Sequence, residues 1–115
     1  MKTESVVAFA GSLLFVIAGT SMVYAAADAG KAEAQLEENK CTKCHAPAKT
    51  KSGPSWKKIA AKYRDNPAEG EEKIILNITT GPKVKLDDGT EEEHKVIKTK
   101  DPAELKNLAQ WILAH

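Results

Sequence analysis

Cys41-Thr42-Lys43-Cys44-His45 decides how the rest of this 115-residue chain is read. Two thiols at this spacing lie about one helical turn apart, so each can add to a vinyl group along one edge of a porphyrin. The adjacent histidine can then swing under the iron as a proximal ligand. Other uses of paired cysteines fit less well. A structural zinc site needs two more ligands, and the chain has no second cysteine pair. A thioredoxin-like redox pair wants a preceding strand and a βαβ setting, and neither pattern is present. A plain disulfide between Cys41 and Cys44 is compatible with an oxidising compartment. The motif points instead to one covalent c-type haem, anchored by Cys41 and Cys44 and ligated by His45.

The composition agrees. Aromatic residues make up 5% of the chain, too few to fill a core unaided, which hints at a large apolar cofactor. The balance of 17 Lys+Arg against 16 Asp+Glu leaves no net basic field of the kind a nucleic-acid binder needs. Two cysteines cannot staple a disulfide-rich scaffold.

Upstream of the motif the sequence reads as an export leader. A short n-region with Lys2 precedes the apolar stretch Val6–Val23, and small residues follow through Ala27. Residues 1–27 are expected to be a signal peptide, cut after Ala25 or Ala27, with residues 28–115 forming one domain. An uncleaved membrane anchor is the competing reading, because spanning a bilayer takes about 20 apolar residues. Cleavage removes Met1 and Met22 and leaves no methionine.

Downstream and around the motif, four helices are expected. Ala29–Lys40 places Ala32 and Leu36 on one face, and Trp56–Arg64 repeats apolar residues at spacings of three and four. A third helix opens at Asn66-Pro67, carries Ile74, Ile75 and Ile78, and stops at Gly81-Pro82. Asp101-Pro102 caps a fourth, with Leu105, Leu108, Ala109 and Ile112 on its apolar face. Lys83–Lys100 shows no sustained period and no convincing strand. A loop of that length in so small a domain is a functional suspect.

The motif with its surroundings resembles class I cytochromes c, especially the small bacterial kind such as cytochrome c-551, across nearly all of residues 28–115. Leu36 lies five residues before Cys41, Gly53-Pro54 follows His45 at the family's distance, and Leu108-Ala109-Gln110-Trp111-Ile112-Leu113 is similar to the family's last helix. The resemblance implies an all-α fold, four to five short helices wrapped around one covalently bound haem. It also implies that the Pro54 carbonyl accepts a hydrogen bond from His45 Nδ1–H, which orients the ligand and raises its basicity. Trp56 is expected to pack against haem or helix, or to donate to a propionate.

The chain departs from the family at the sixth iron position, where a methionine is usual. His94, seven residues before Asp101, is the candidate distal ligand. Lys95 fits the spacing slightly better but would have to lose its proton near neutral pH. His115 sits at the chain end on the wrong element. An exposed, unligated His94 would leave the iron five-coordinate. Imidazole in place of a thioether lowers a haem potential, and so do nearby carboxylates that favour ferric iron. Asp87, Asp88, Glu91, Glu92 and Glu93 stand just before His94.

Charge is segregated. Lys40–Arg64 holds eight basic residues and no acidic one, whereas Asp87–Glu93 holds five acidic residues and no basic one. A basic collar around the haem edge would steer acidic redox partners in transient encounters; the alternative is ordinary solvated surface. The expectation is a soluble, monomeric, periplasmic carrier of single electrons, not an enzyme and not a nucleic-acid binder. The rival is a sensor whose distal histidine yields to oxygen, nitric oxide or carbon monoxide. A peroxidase would want a distal acid–base group beside open iron, and His94 cannot be both ligand and base.

Overall fold

A computed structural model describes residues 10–12, 14–15 and 26–115. Most of the expected leader, including most of its apolar stretch, lies outside these residues. Among the described residues, no helix is long and apolar enough to cross a membrane.

Four helices carry the domain: α1 (Ala29–Glu38), α2 (Trp56–Lys62), α3 (Pro67–Thr80) and α4 (Pro102–Leu113). Each begins at a polar cap whose side chain accepts from the first turn: Asp28, Ser55, Asn66 and Asp101. Proline at the first position of α3 and α4 costs nothing there, because that N–H has no helical partner. Helices α1 and α2 each end two residues earlier than expected, at Glu38 and Lys62.

Helix α4 packs against α1, α2 and α3. The core they share holds Ala32, Leu36, Trp56, Ile74, Ile78, Ile97, Leu105, Leu108, Ala109 and Ile112. Ala32 on α1 and Ala109 on α4 are completely buried, so a larger side chain at either would overpack the interface. Asn107 on α4 reaches back to the start of α1. Its Oδ1 accepts from the Asp28 N–H at 2.7 Å and its Nδ2 donates to the Asp28 carbonyl at 3.0 Å.

The segment expected to be structureless contains a small hairpin. Strands β1 (Lys83–Lys85) and β2 (Glu91–Glu93) pair antiparallel, with Lys83 opposite Glu93 and Lys85 opposite Glu91. Three-residue strands are too short to show a period, but opposite charges on facing positions favour their register. The turn is closed by Gly89, at φ 87°, and by the Asp88 carboxylate, which accepts from the Thr90 N–H at 2.9 Å and its hydroxyl at 2.6 Å. Those two donors hold the Asp88 carboxyl below its ordinary pKa.

Candidate haem site

Helix α1 delivers the motif. Lys40 sits at φ 55°, the one non-glycine residue with positive φ among the described residues, and turns the chain sharply after α1. Cys41–Lys43 then form a 3₁₀ turn, tightened by bonds from the Cys44 and His45 N–H groups to the Cys41 carbonyl. The Lys51 ammonium donates to the Thr42 carbonyl at 2.6 Å, satisfying one acceptor the turn leaves free. The two cysteines form no disulfide with each other and are half-buried. Burial pushes the Cys41 thiol up, with the Lys95 ammonium opposing it.

The chain after His45 folds back onto the motif. The Gly53 N–H donates to the Cys44 carbonyl at 2.9 Å, and the Trp56 N–H to the Ala46 carbonyl at 3.0 Å. This places the Pro54 carbonyl 2.6 Å from His45 Nδ1, which donates to it. The bond selects the tautomer with a lone pair on Nε2. Gly53 permits the fold-back: a Cβ there would lie 2.8 Å from His45 Cε1, closer than any real contact. Trp56, 4% exposed, stacks on the other flank of the site with its ring centre 4.6 Å from that of His45 and the planes 23° apart. Burial pushes the His45 pKa down, against the pull of the Pro54 carbonyl, which favours the neutral ring that can ligate.

His94 arrives from the end of β2. Its ring centre lies 6.2 Å from that of His45, with the planes 42° apart. Its Nδ1 donates to the Lys95 carbonyl at 3.0 Å, so Nε2 again carries the lone pair. Lys95 itself is exposed. His115 does not join this pair: its ring stands over the edge of Trp111, centres 4.3 Å apart, and its Nδ1 donates to the Trp111 carbonyl. Trp56 and Trp111, with Leu36, Thr42, Pro47 and His115, line an adjoining cleft of about 490 Å³.

The donor set fits a c-type haem. Two cysteines flank one turn, an imidazole with its Nδ1 engaged follows them, and a second imidazole stands at a distance that leaves space for a metal. The sequence profile of the family described as Cytochrome c matches residues 28–115.

The chain belongs to the cytochrome c family.

No curated protein matches this cytochrome. Among solved structures it is similar to the class 1 cytochrome MtoD from Sideroxydans lithotrophicus ES-1, at 49% identity and a TM-score of 0.72. The match covers 77% of this chain and 97% of that one. Family membership carries a covalent haem c, with Cys41 and Cys44 in its attachment motif, and a role as an electron carrier. The segment matched by the family contains no methionine.

Two features of the site were not foreseen from the residues. Asn39, buried among the ends of α1 and the distal segment, accepts from the Lys98 N–H through Oδ1 at 3.0 Å. Gly81 caps α3 at φ 59°, and a Cβ on it would meet the His94 carbonyl oxygen at 2.6 Å. The glycine after a helical run was read as a stop signal, which it is. Its second role, close approach to the His94 backbone, leaves no mark in the local sequence.

Proposed function

We propose that this cytochrome shuttles single electrons between periplasmic protein partners with His45 and His94 as the two axial ligands of its haem. One observation carries the reading: the 6.2 Å between the two ring centres, with both Nδ1 atoms engaged by backbone carbonyls. Two metal–imidazole bonds of about 2 Å each, with the ring radii added, account for that separation. The haem supplies a reversible one-electron change when bound. The chain's residues do the rest. Cys41 and Cys44 anchor, His45 ligates in a tautomer set by Pro54, and Trp56 limits rotation of the proximal ring by stacking on it. His94 closes the other side to water.

Imidazole in place of a thioether lowers the potential relative to methionine-ligated relatives. The carboxylates Asp87, Asp88 and Glu91–Glu93 push the same way, and Lys83 and Lys85 across the hairpin offset part of that effect. The leader-like N-terminal sequence supports export. All eight basic residues of Lys40–Arg64 are exposed, which supports a surface that steers acidic partners. The reading is a carrier rather than an enzyme, because the family likeness supports an electron-carrier role and His94 as a ligand cannot also be a distal base.

The test is a redox titration of the wild type beside His94→Met, with electron paramagnetic resonance of the ferric forms. A low-spin wild type whose potential lies below that of His94→Met supports two histidines. A high-spin wild type, or equal potentials, counts against them.

The gas-binding alternative draws on one observation: the His94 ring is bonded to a neighbouring exposed loop carbonyl, a weaker hold than that on His45. Carbon monoxide added to the ferrous protein separates the two. Rapid, complete binding favours the sensor, and slow or absent binding favours the carrier.

A further inference from the structure

His94 can act as a ligand only if the segment that carries it is held against the segment that carries the haem. Three contacts do this. The His94 N–H donates to the Pro82 carbonyl at 2.9 Å, and the Ile97 N–H to the Ile78 carbonyl at 2.9 Å. Both tie the distal segment to α3 and the chain just after it. The third runs from the Lys98 N–H to Asn39 Oδ1 at 3.0 Å, across 59 residues of chain. Asn39 lies two positions before Cys41, so this bond joins the distal segment to the base of the attachment motif itself. The Lys98–Glu38 ion pair beside it spans the same two segments but is largely exposed and adds little.

The Asn39 amide is fixed for this task. It is 1% exposed and one of the largest fully buried side chains. Its Nδ2 donates to the Gln35 carbonyl at 2.9 Å, which orients Oδ1 toward Lys98. A partly buried backbone N–H that loses its acceptor is costly to leave unpaired, so the segment would move to find water if Asn39 were truncated.

We propose that Asn39 is a positioning residue for the distal ligand: it sets how tightly His94 is held on the iron, and so how closed that side is to exogenous ligands. The proposal rests on the two-histidine reading given above. It makes no contact with the iron; it acts through Lys98 on a segment whose ligand lies four residues away.

The experiment uses ferric holoprotein and cyanide. With His94 on the iron, the observed rate saturates at high cyanide, and the plateau is the rate at which His94 leaves. Asn39→Ala, which removes the acceptor, is expected to raise the plateau about tenfold or more. Asn39→Asp keeps an acceptor for the Lys98 N–H but loses the Nδ2 bond to the Gln35 carbonyl, so its plateau is expected between those of wild type and Asn39→Ala. Ile112→Val lowers stability from α4 without touching Lys98, and its plateau should not move. Should Asn39→Ala fail to accumulate as holoprotein, Asn39→Ser removes the same contact with a smaller loss of packing. A plateau unchanged in Asn39→Ala or Asn39→Ser, or raised equally by Ile112→Val, overturns the role of Asn39 alone. A wild type already high-spin before cyanide overturns the two-histidine reading, and the role of Asn39 with it.

Discussion

His45 is gripped by its own stretch of chain, whereas His94 is held by contacts from elsewhere in the sequence. On the proximal side, Pro54 and Trp56 meet the imidazole from nine and eleven residues away, and Gly53 makes room for them. On the distal side, the supporting groups come from the end of α3, from Pro82 and from Asn39. A local grip forms as soon as the motif and its loop fold. A grip assembled from distant segments needs the whole domain packed, and it can loosen without unfolding the rest. One side is thus built as an anchor and the other as a closure.

Breaking the anchor should have the largest effect. A Cys41→Ala/Cys44→Ala double variant is expected to lose all covalent haem, read as absence of a Soret band in denatured protein and of the added mass of the macrocycle. Retention of covalent haem would refute the assignment of the motif. Next comes the closure. His94→Ala should turn the ferric iron from low-spin to high-spin and open the ferrous iron to carbon monoxide, while haem content stays near that of wild type. Its spectrum under denaturant-free conditions is the check.

Two glycines compare the sides more finely. Gly53→Ala drives a methyl into the His45 ring, and overpacking of this kind costs about 1–3 kcal/mol. Gly81→Ala meets the His94 carbonyl and also places a side chain in the left-handed region, which by itself costs about 1–2 kcal/mol. Thermal unfolding should show a loss in both, larger in Gly81→Ala, which carries both penalties. Only Gly81→Ala should speed displacement of His94 by cyanide; equal rates in the two variants would blur the distinction between the sides.

The smallest effect concerns the hairpin that leads to His94. Thr90 lowers the Asp88 pKa, so the folded turn favours the carboxylate. The contribution is complete above the ordinary carboxylate range and disappears as pH falls through the lowered value. Amide exchange at Gly89 and Thr90 should therefore quicken on acidification. In Thr90→Val, which loses the hydroxyl donor, the quickening should begin at higher pH. An unchanged onset would remove Thr90 as the cause.

The proximal half was legible in the sequence because its logic is local. Thiol spacing, the adjacent histidine and the Gly53-Pro54 pair all sit within fourteen residues, from Cys41 to Pro54. The helices were legible too, since apolar residues recurring every three or four positions mark a buried face. The hairpin was missed because three residues hold too little pattern. Asp88-Gly89, flanked by Lys-x-Lys and Glu-x-Glu, is the signal that could have revealed it. Asn39 had no signal at all: it fell inside the expected helix Ala29–Lys40, where a lone polar residue reads as solvated surface.

What the residues determined alone is the chemistry available: two thiols, an imidazole beside them, and a segment without methionine that leaves histidine as the natural second donor. Spacing singled out His94 over His115 as the candidate; what tertiary structure decided is how close its ring comes to His45 and how it is held. His94 and His115 are alike as residues. Only the packing of the distal segment against α3 and Asn39 brings the first to 6.2 Å from His45, while the second turns back onto Trp111. Ligand chemistry is a property of a side chain. Ligand distance is a property of every backbone bond that holds that side chain in place.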